Sequence, residues 1–276
     1  MIEKLQKAIV TTIDRQINPT IKEIENSQKE TYDNLDRSRD KFVSNLRKSV
    51  FDAIERFKSD FRKEMHKCIK KDIGNKKCEK IFKNECEQGM KELDRTIEGR
   101  IKECEEQFRK DIKEDIERFE ERVKDALVTI ERINVDSGFD FNIDSGINAL
   151  GLTASIGGLI LLLLTPLDGI IALAGGLVLG AIGIVKSVWN FFDSDYKKSQ
   201  QRKEVDKNLK KVCGIIEERV RNKIEDAKKG ICEKVESLKA RLNDSVVCYE
   251  RMREGLIKAG ESLWQISNNI KTRIAQ

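Results

Sequence analysis

Between Ile147 and Val185 the chain reads INALGLTASIGGLILLLLTPLDGIIALAGGLVLGAIGIV, and one charge, Asp168, interrupts it. Elsewhere the sequence is crowded with charge, so this stretch must be withdrawn from water, into either lipid or protein. It divides at Thr165-Pro166-Leu167-Asp168-Gly169. Proline presets the backbone for the second position of a tight turn, and Gly169 supplies freedom at its end. The arms 147–165 and 169–185 make helices of roughly 28 Å and 25 Å at ~1.5 Å per residue. A bilayer's hydrocarbon core is about 30 Å thick, so each arm just reaches across it or stops slightly short. The expectation is a helical hairpin that enters a membrane, with Pro166, Asp168 and Gly169 at its turn.

The composition of the arms sharpens that expectation. Ala172, Gly176 and Gly180 form a row of small residues at four-residue spacing, and Ala154 and Gly158 repeat it on the first arm. Such rows let two helix backbones approach closely where lipid gives no hydrophobic drive between helices. In water each glycine costs about 1 kcal/mol against alanine in a helix. The side chains expected to meet lipid are Ile156, Leu159, Leu162 and Leu164 on the first arm, and Ile170, Leu173, Leu177, Leu179 and Ile182 on the second. Phe139 and Phe141 precede the hairpin, while Trp189, Phe191, Phe192 and Tyr196 follow it. A hairpin returns its flanks to one side of a bilayer, so these six are expected to form an interfacial aromatic belt. The alternative is a pair of core helices buried in a soluble scaffold.

The remaining sequence belongs to solvated helices. Lys and Arg number 53 and Asp and Glu 48 in 276 residues, with only 2 prolines. Charges of both signs are interleaved along the chain, as on the outer faces of long helices. A net charge of +5 slightly favours anionic headgroups and forms no patch that would argue for nucleic acid. The 7 cysteines have irregular spacing and no CxxC; most fall beside apolar helical positions, where cysteine acts as a small hydrophobe. His66, Cys68, Cys78 and Cys86 match no standard zinc spacing. Met1-Ile2-Glu3-Lys4-Leu5 lacks the apolar core of a secretory signal. The expected setting is synthesis in a reducing cytosol and association with a membrane, reached by signal-peptide-independent export if the protein leaves the cell.

Apolar periodicity predicts an all-α fold, an elongated antiparallel bundle of long helices with the apolar hairpin inserted at one tip. Ile2, Leu5, Ile9, Ile13 and Ile17 outline a short first helix that Asn18-Pro19 is expected to end. A long helix then carries Phe42 or Val43, Leu46, Val50, Ile54, Phe57, Phe61, Met65 and Cys68, and Gly74-Asn75 is expected to end it in left-handed geometry. A second long helix, to about Ile133, bears Leu93, Ile97, Ile101, Cys104, Phe108, Ile112, Ile116, Phe119, Val123 and Leu127. The last runs from Val205 through Leu209, Val212, Ile216, Val220, Ile224, Ala227, Ile231, Val235, Leu238, Leu242 and Val246, and less strictly through Leu256, Leu263, Ile266 and Ile270. Steps of four, four and three sum to eleven, which favours nearly straight or slightly right-handed coiled-coil packing over heptads. A narrow stripe cannot be buried alone, so the helices must pack on each other or on other chains. With a hairpin between them, the second and last long helices are expected to run antiparallel. The expected domains are 1–146, an N-terminal helical arm; 147–192, the hydrophobic hairpin; and 193–276, the C-terminal helix packed on that arm.

No catalytic constellation is present. Gly180, Lys186 and Ser187 come near a phosphate-binding loop, but Val185 occupies the place of its second glycine and the run lies inside an apolar helix. A lone histidine offers little for acid–base chemistry, and the carboxylates lie three or four residues from lysines on charged faces. The expectation is a protein that is not an enzyme and holds no cofactor or metal.

This layout, two long charged helices, the hairpin SIGGLILLLLTPLDGIIALAGGLVLGAIGIV and one further long helix, resembles two families. One is the α-helical pore-forming toxins of the cytolysin A and haemolysin BL type; the other is the helical stalk and lipid-binding paddle of bacterial dynamin-like proteins. Both resemblances are architectural and cover most of the chain. The toxin resemblance implies that the apolar segment enters a target bilayer and that oligomers, of this chain or with another helical subunit, permeabilise it. The dynamin resemblance implies membrane remodelling beside a GTPase partner. Both imply membrane lipid as a partner and neither implies nucleic acid.

Overall fold

The computed structural model describes residues 2–137 and 198–274. Apart from the link at 71–74, all of these residues are helical, and no strand occurs among them. Helix α1 (Ile2–Thr12) passes through a π-helical turn (Ile13–Ile17) into α2 (Asn18–Lys70), followed by α3 (Asn75–Ser137) and α4 (Lys198–Ile274). The fold is an all-α helical bundle. The last helix is continuous through Asn243-Asp244-Ser245.

Asn18-Pro19 does not end the first helix, contrary to the expectation from sequence. Asn18 is itself helical (φ −60°, ψ −44°), and its backbone N–H donates to the carbonyl of Ile13. Proline has no N–H to give, and its ring crowds the carbonyl four residues earlier; widening one turn into π geometry accommodates both without a break. The Thr20 hydroxyl donates to the Gln16 carbonyl at 2.7 Å in the same turn.

The α2–α3 link also departs from expectation. Lys71 and Asp72 donate back to the carbonyls of Cys68 and Ile69, both at 3.1 Å, and the left-handed residue is Asp72 (φ 61°), not Gly74. Aspartate tolerates this region better than most residues. Gly74 instead caps the start of α3, its carbonyl accepting from Cys78 N–H at 3.0 Å.

The described residues fall into two compact units. Unit 1 takes in those within Met1–Ser38, Lys110–Thr165 and Lys234–Gln276, and unit 2 those within Arg39–Arg109 and Pro166–Glu233. In unit 2, Phe42 meets Phe108 and Phe61 meets Phe82, with ring centroids 5.0 Å and 4.7 Å apart, so α2 and α3 run antiparallel. Lys198 pairs with Asp72 at 3.1 Å and Asp206 with Arg62 at 2.9 Å, which makes α4 antiparallel to α2 as well. Gln201 closes the corner, donating to the Ile73 carbonyl at 3.1 Å and to Asn75 Oδ1 at 2.7 Å. In unit 1 the order repeats: Asn34 donates to Asp115 at 3.1 Å, Glu30 pairs with Arg122 at 3.5 Å, and Asp36 pairs with Lys239 at 2.7 Å.

In each unit, therefore, α3 and α4 run parallel, which corrects the expectation that they oppose each other. The expectation assumed that the segment between them is a simple hairpin linking neighbouring helix ends. Lys198 instead starts α4 beside the α2–α3 link, where α3 begins rather than where it ends.

The apolar stripes fill the cores. All twelve stripe positions of α4 from Val205 to Val246 are buried, as are Leu93 through Ile101 and Phe108 through Val123 on α3. Outside, charges three or four residues apart pair along the helices, as in Lys83–Glu79 at 2.6 Å and Lys102–Glu98 at 2.8 Å.

Candidate functional site

The residues expected to carry function lie outside the described residues. This holds for the lipid-facing set from Ile156 to Ile182, the turn at Pro166, Asp168 and Gly169, and the small-residue rows Ala154, Gly158, Ala172, Gly176 and Gly180. It holds equally for the aromatic set Phe139, Phe141, Trp189, Phe191, Phe192 and Tyr196. Among the described residues no helix is long and apolar enough to cross a membrane.

Two surface features on the described helices stand out. The first is a groove in unit 2 between α2 and α3, of about 620 Å³. Its floor is apolar, with Ala53, Phe57, Phe61 and Leu93, and its rim carries Asp52, Asp60, Glu64, Glu85 and Glu92 against Arg56 and Arg100. Gly89 shapes it: a Cβ there would lie 2.7 Å from Cε2 of Phe57, so the ring rests where any larger residue would stand. Phe57 is half-buried, turned partly into the groove rather than fully into the core.

The second feature is in unit 1, where α1 meets the last turns of α4. Leu256 and Ser267 are buried, and Ile9 lies 3.5 Å from the position of a Gly260 Cβ. At about 100° per residue, positions 256, 260, 263 and 267 share one helix face. Ile257 and Trp264 flank that face on one side, and Ile266 and Ile270 on the other. All four are exposed, Trp264 at 60 %, and Val10 of α1 is 57 % exposed. Sequence periodicity assigned Ile266 and Ile270 to the buried stripe; a wide apolar arc facing one short helix leaves its edges uncovered.

In unit 1, α2 and α4 are held in register by a polar cluster. The Tyr32 hydroxyl donates to the Lys239 carbonyl, and Lys239 Nζ bonds Asp36 at 2.7 Å and Glu236 at 3.0 Å while lying 5.7 Å from the centroid of the Tyr32 ring. Gln28 donates to Tyr32 at 3.1 Å and to Asn243 Oδ1 at 3.2 Å. Burial raises the Tyr32 hydroxyl above its ordinary range, against the lowering influence of Lys239. Stripe analysis missed this cluster because it tracks apolar residues, and here Ser27 and Thr31 stand at buried positions.

Three thiols, Cys78, Cys86 and Cys213, are buried. Burial pushes both Cys86 and Cys213 up to about 12, so neither offers a thiolate near neutral pH. Cys68, Cys78, Cys104 and Cys232 are also free, and among the described residues no group of three His, Cys, Asp or Glu side chains is placed to hold a metal. Two carboxyls are raised: Asp94 by burial and then by Glu98, and Asp115 by burial against the opposing pull of Arg118 and Asn34.

No family model matches the sequence, and no curated protein matches it. A solved structure of a computationally designed three helix bundle aligns over 97 % of this chain and 98 % of its own, at 13 % identity and a TM-score of 0.30, too low a score to carry an argument.

Proposed function

We propose that this is a membrane-inserting protein, in which the apolar hairpin 147–185 enters a bilayer and oligomers permeabilise it. The observation that carries the reading is the 147–185 sequence itself, where Asp168 is the one charge in a chain that is 37 % charged. The bundle supports it, since the described helices bury most of their apolar stripes on one another, from Val205 to Val246 on α4 in particular. In this reading Ile156, Leu159, Leu162, Leu164, Ile170, Leu173, Leu177, Leu179 and Ile182 meet acyl chains. The small-residue rows pack the arms together, and the six aromatic residues anchor the flanks. The protein is membrane-associated, works with lipid and further helical subunits as partners, and carries out no reaction.

The test is release of a dye from vesicles containing anionic lipid. The wild type releases it, and Gly176→Leu and Leu162→Arg each lower release at least tenfold while leaving helicity unchanged. Tight, deep binding to vesicles that stay intact would replace permeabilisation by remodelling, the dynamin-like alternative, which in turn requires a GTPase partner in a pull-down. Absence of any vesicle binding would leave the soluble scaffold. Permeabilisation is preferred to remodelling because the sequence holds no nucleotide-binding loop to drive cycles of bending.

A further inference from the structure

We infer that Cys68 and Cys78 are a redox-responsive pair, closing into a disulfide across the α2–α3 link when the chain meets an oxidising disulfide. The two helices put these residues opposite one another. Phe57 of α2 lies against Gly89 of α3, its Cε2 2.7 Å from the position of a Cβ there. Cys68 stands eleven residues after Phe57, and Cys78 eleven residues before Gly89. Eleven residues are about three turns, so each cysteine returns to the face of its own helix that makes this contact. Because α2 and α3 run antiparallel, the two arrive at the same level. Phe61 and Phe82, in ring contact, occupy the turns between. At the link itself the Cys68 carbonyl accepts from Lys71 N–H at 3.1 Å, and Cys78 N–H donates to the Gly74 carbonyl at 3.0 Å, so both cysteines are held by its closing hydrogen bonds. The thiols also sense each other: Cys78 is raised by burial first and then by charge on Cys68.

Exposure sets this pair apart. Cys86 and Cys213 also influence each other across α3 and α4, but both are buried, which denies an oxidant either sulfur. Cys68 is partly exposed and Cys78 is buried, an entry thiol backed by a resolving one. Exposed Lys70, Lys71, Lys76 and Lys77 flank the link and favour an anionic disulfide such as oxidised glutathione. Cys68 Sγ, deprotonated, attacks one sulfur of that disulfide and expels one glutathione thiolate. Cys78 then gives up its proton, and its sulfur displaces the second glutathione from Cys68. Two protein thiols are thereby oxidised by two electrons, and one glutathione disulfide is reduced to two thiols that take up the two protons. A reducing cytosol keeps the pair open, and an oxidising setting closes it. The closed form ties α2 to α3 beside Asp72, Ile73 and Asn75, the residues that bind the start of α4. The pairing needs neither lipid nor a second copy, so it stands or falls separately from membrane insertion.

The test is equilibration of the reduced full chain in a series of glutathione redox buffers, followed by acid quenching, alkylation of the remaining thiols and peptide mapping. Wild type yields the Cys68–Cys78 disulfide, and in the same buffer it is favoured about tenfold or more in the folded chain over the chain unfolded in urea. That factor separates a pair positioned by the fold from two cysteines merely close in sequence. Cys78→Ser stops the reaction halfway, with glutathione retained on Cys68, and Cys68→Ser leaves Cys78 reduced, helicity being preserved in both. A Cys68 that stays unoxidised, one that accumulates only glutathione in the wild type, or a folded chain that closes no more readily than the unfolded one would each overturn the assignment.

Discussion

Units 1 and 2 both draw on α2, α3 and α4, unit 1 with α1 besides, but fill their interiors differently. Unit 2 buries Phe42, Phe61, Phe82 and Phe108 together with Met65 and Met90, and contains all the ring–ring contacts among the described residues. Unit 1 buries the single ring Phe119 and sets Ser27, Thr31, Ser38 and Asp115 at core positions, whereas the buried polar residues of unit 2 are Glu105, Gln201 and Asn208. An aromatic interior supplies stability through burial and close packing, whereas a buried polar group supplies register where it bonds across helices, as Asp115 does in accepting from Asn34 at 3.1 Å. A stripe of uniform period leaves helices free to slide by a turn; the polar layer removes that freedom at some cost in stability.

The comparison can be broken most directly in unit 2. Phe82 is fully buried against Phe61, so Phe82→Ala is expected to cost about 3–5 kcal/mol in urea-induced unfolding. A loss below 1 kcal/mol would mean that aromatic packing is not what holds this unit. Next in size, Val50→Thr places a hydroxyl at a buried position of the same unit and should cost about 1–2 kcal/mol. Tyr32→Phe removes one interhelical hydrogen bond from unit 1 and should cost about 1 kcal/mol.

Two smaller effects sharpen the contrast. The Thr31 hydroxyl donates only to the Ser27 carbonyl of its own helix, at 2.8 Å, so Thr31→Val should stabilise unit 1 by up to about 1 kcal/mol, opposite in sign to Val50→Thr. The smallest effect depends on pH. Asp94 has a buried oxygen with no hydrogen-bond partner and a carboxyl raised by burial. The folded chain therefore holds that proton to higher pH than the unfolded chain does, and stability falls as pH rises through the interval between the two values. Asp94→Asn should raise the melting midpoint by about 1–2 °C at neutral pH, an advantage that shrinks as acidification protonates the wild-type group. An advantage independent of pH would assign the gain to something other than that charge.

Much of this bundle is legible in its residues. The eleven-residue stripe of α4 marks buried positions from Val205 to Val246 without exception, because each lies on a face covered by two other helices. Periodicity reads faces, however, and not directions or hydrogen bonds. It placed the end of the α2 stripe at Cys68, where the fully buried residue is Ile69, and it began the α3 stripe at Leu93 although Cys78, Phe82, Cys86 and Met90 are all buried. Ser27 and Thr31 went unseen because a small polar side chain that bonds within its own helix can occupy a core position. The parallel course of α3 and α4 has no local signal; it is written in pairs such as Lys198–Asp72, more than a hundred residues apart in sequence. The groove had no signal in the sequence, because it depends on Gly89 facing Phe57 across two helices.

Insertion of 147–185 into lipid is the step on which the proposed function turns. The most direct measurement places a lone tryptophan at Leu162, with Trp189→Phe and Trp264→Phe, and quenches its fluorescence with vesicle lipids brominated near the ends of their acyl chains. The account predicts a blue shift on adding vesicles and quenching strongest for the deepest bromines. An emission unchanged by vesicles and untouched by bromine at any depth would contradict it.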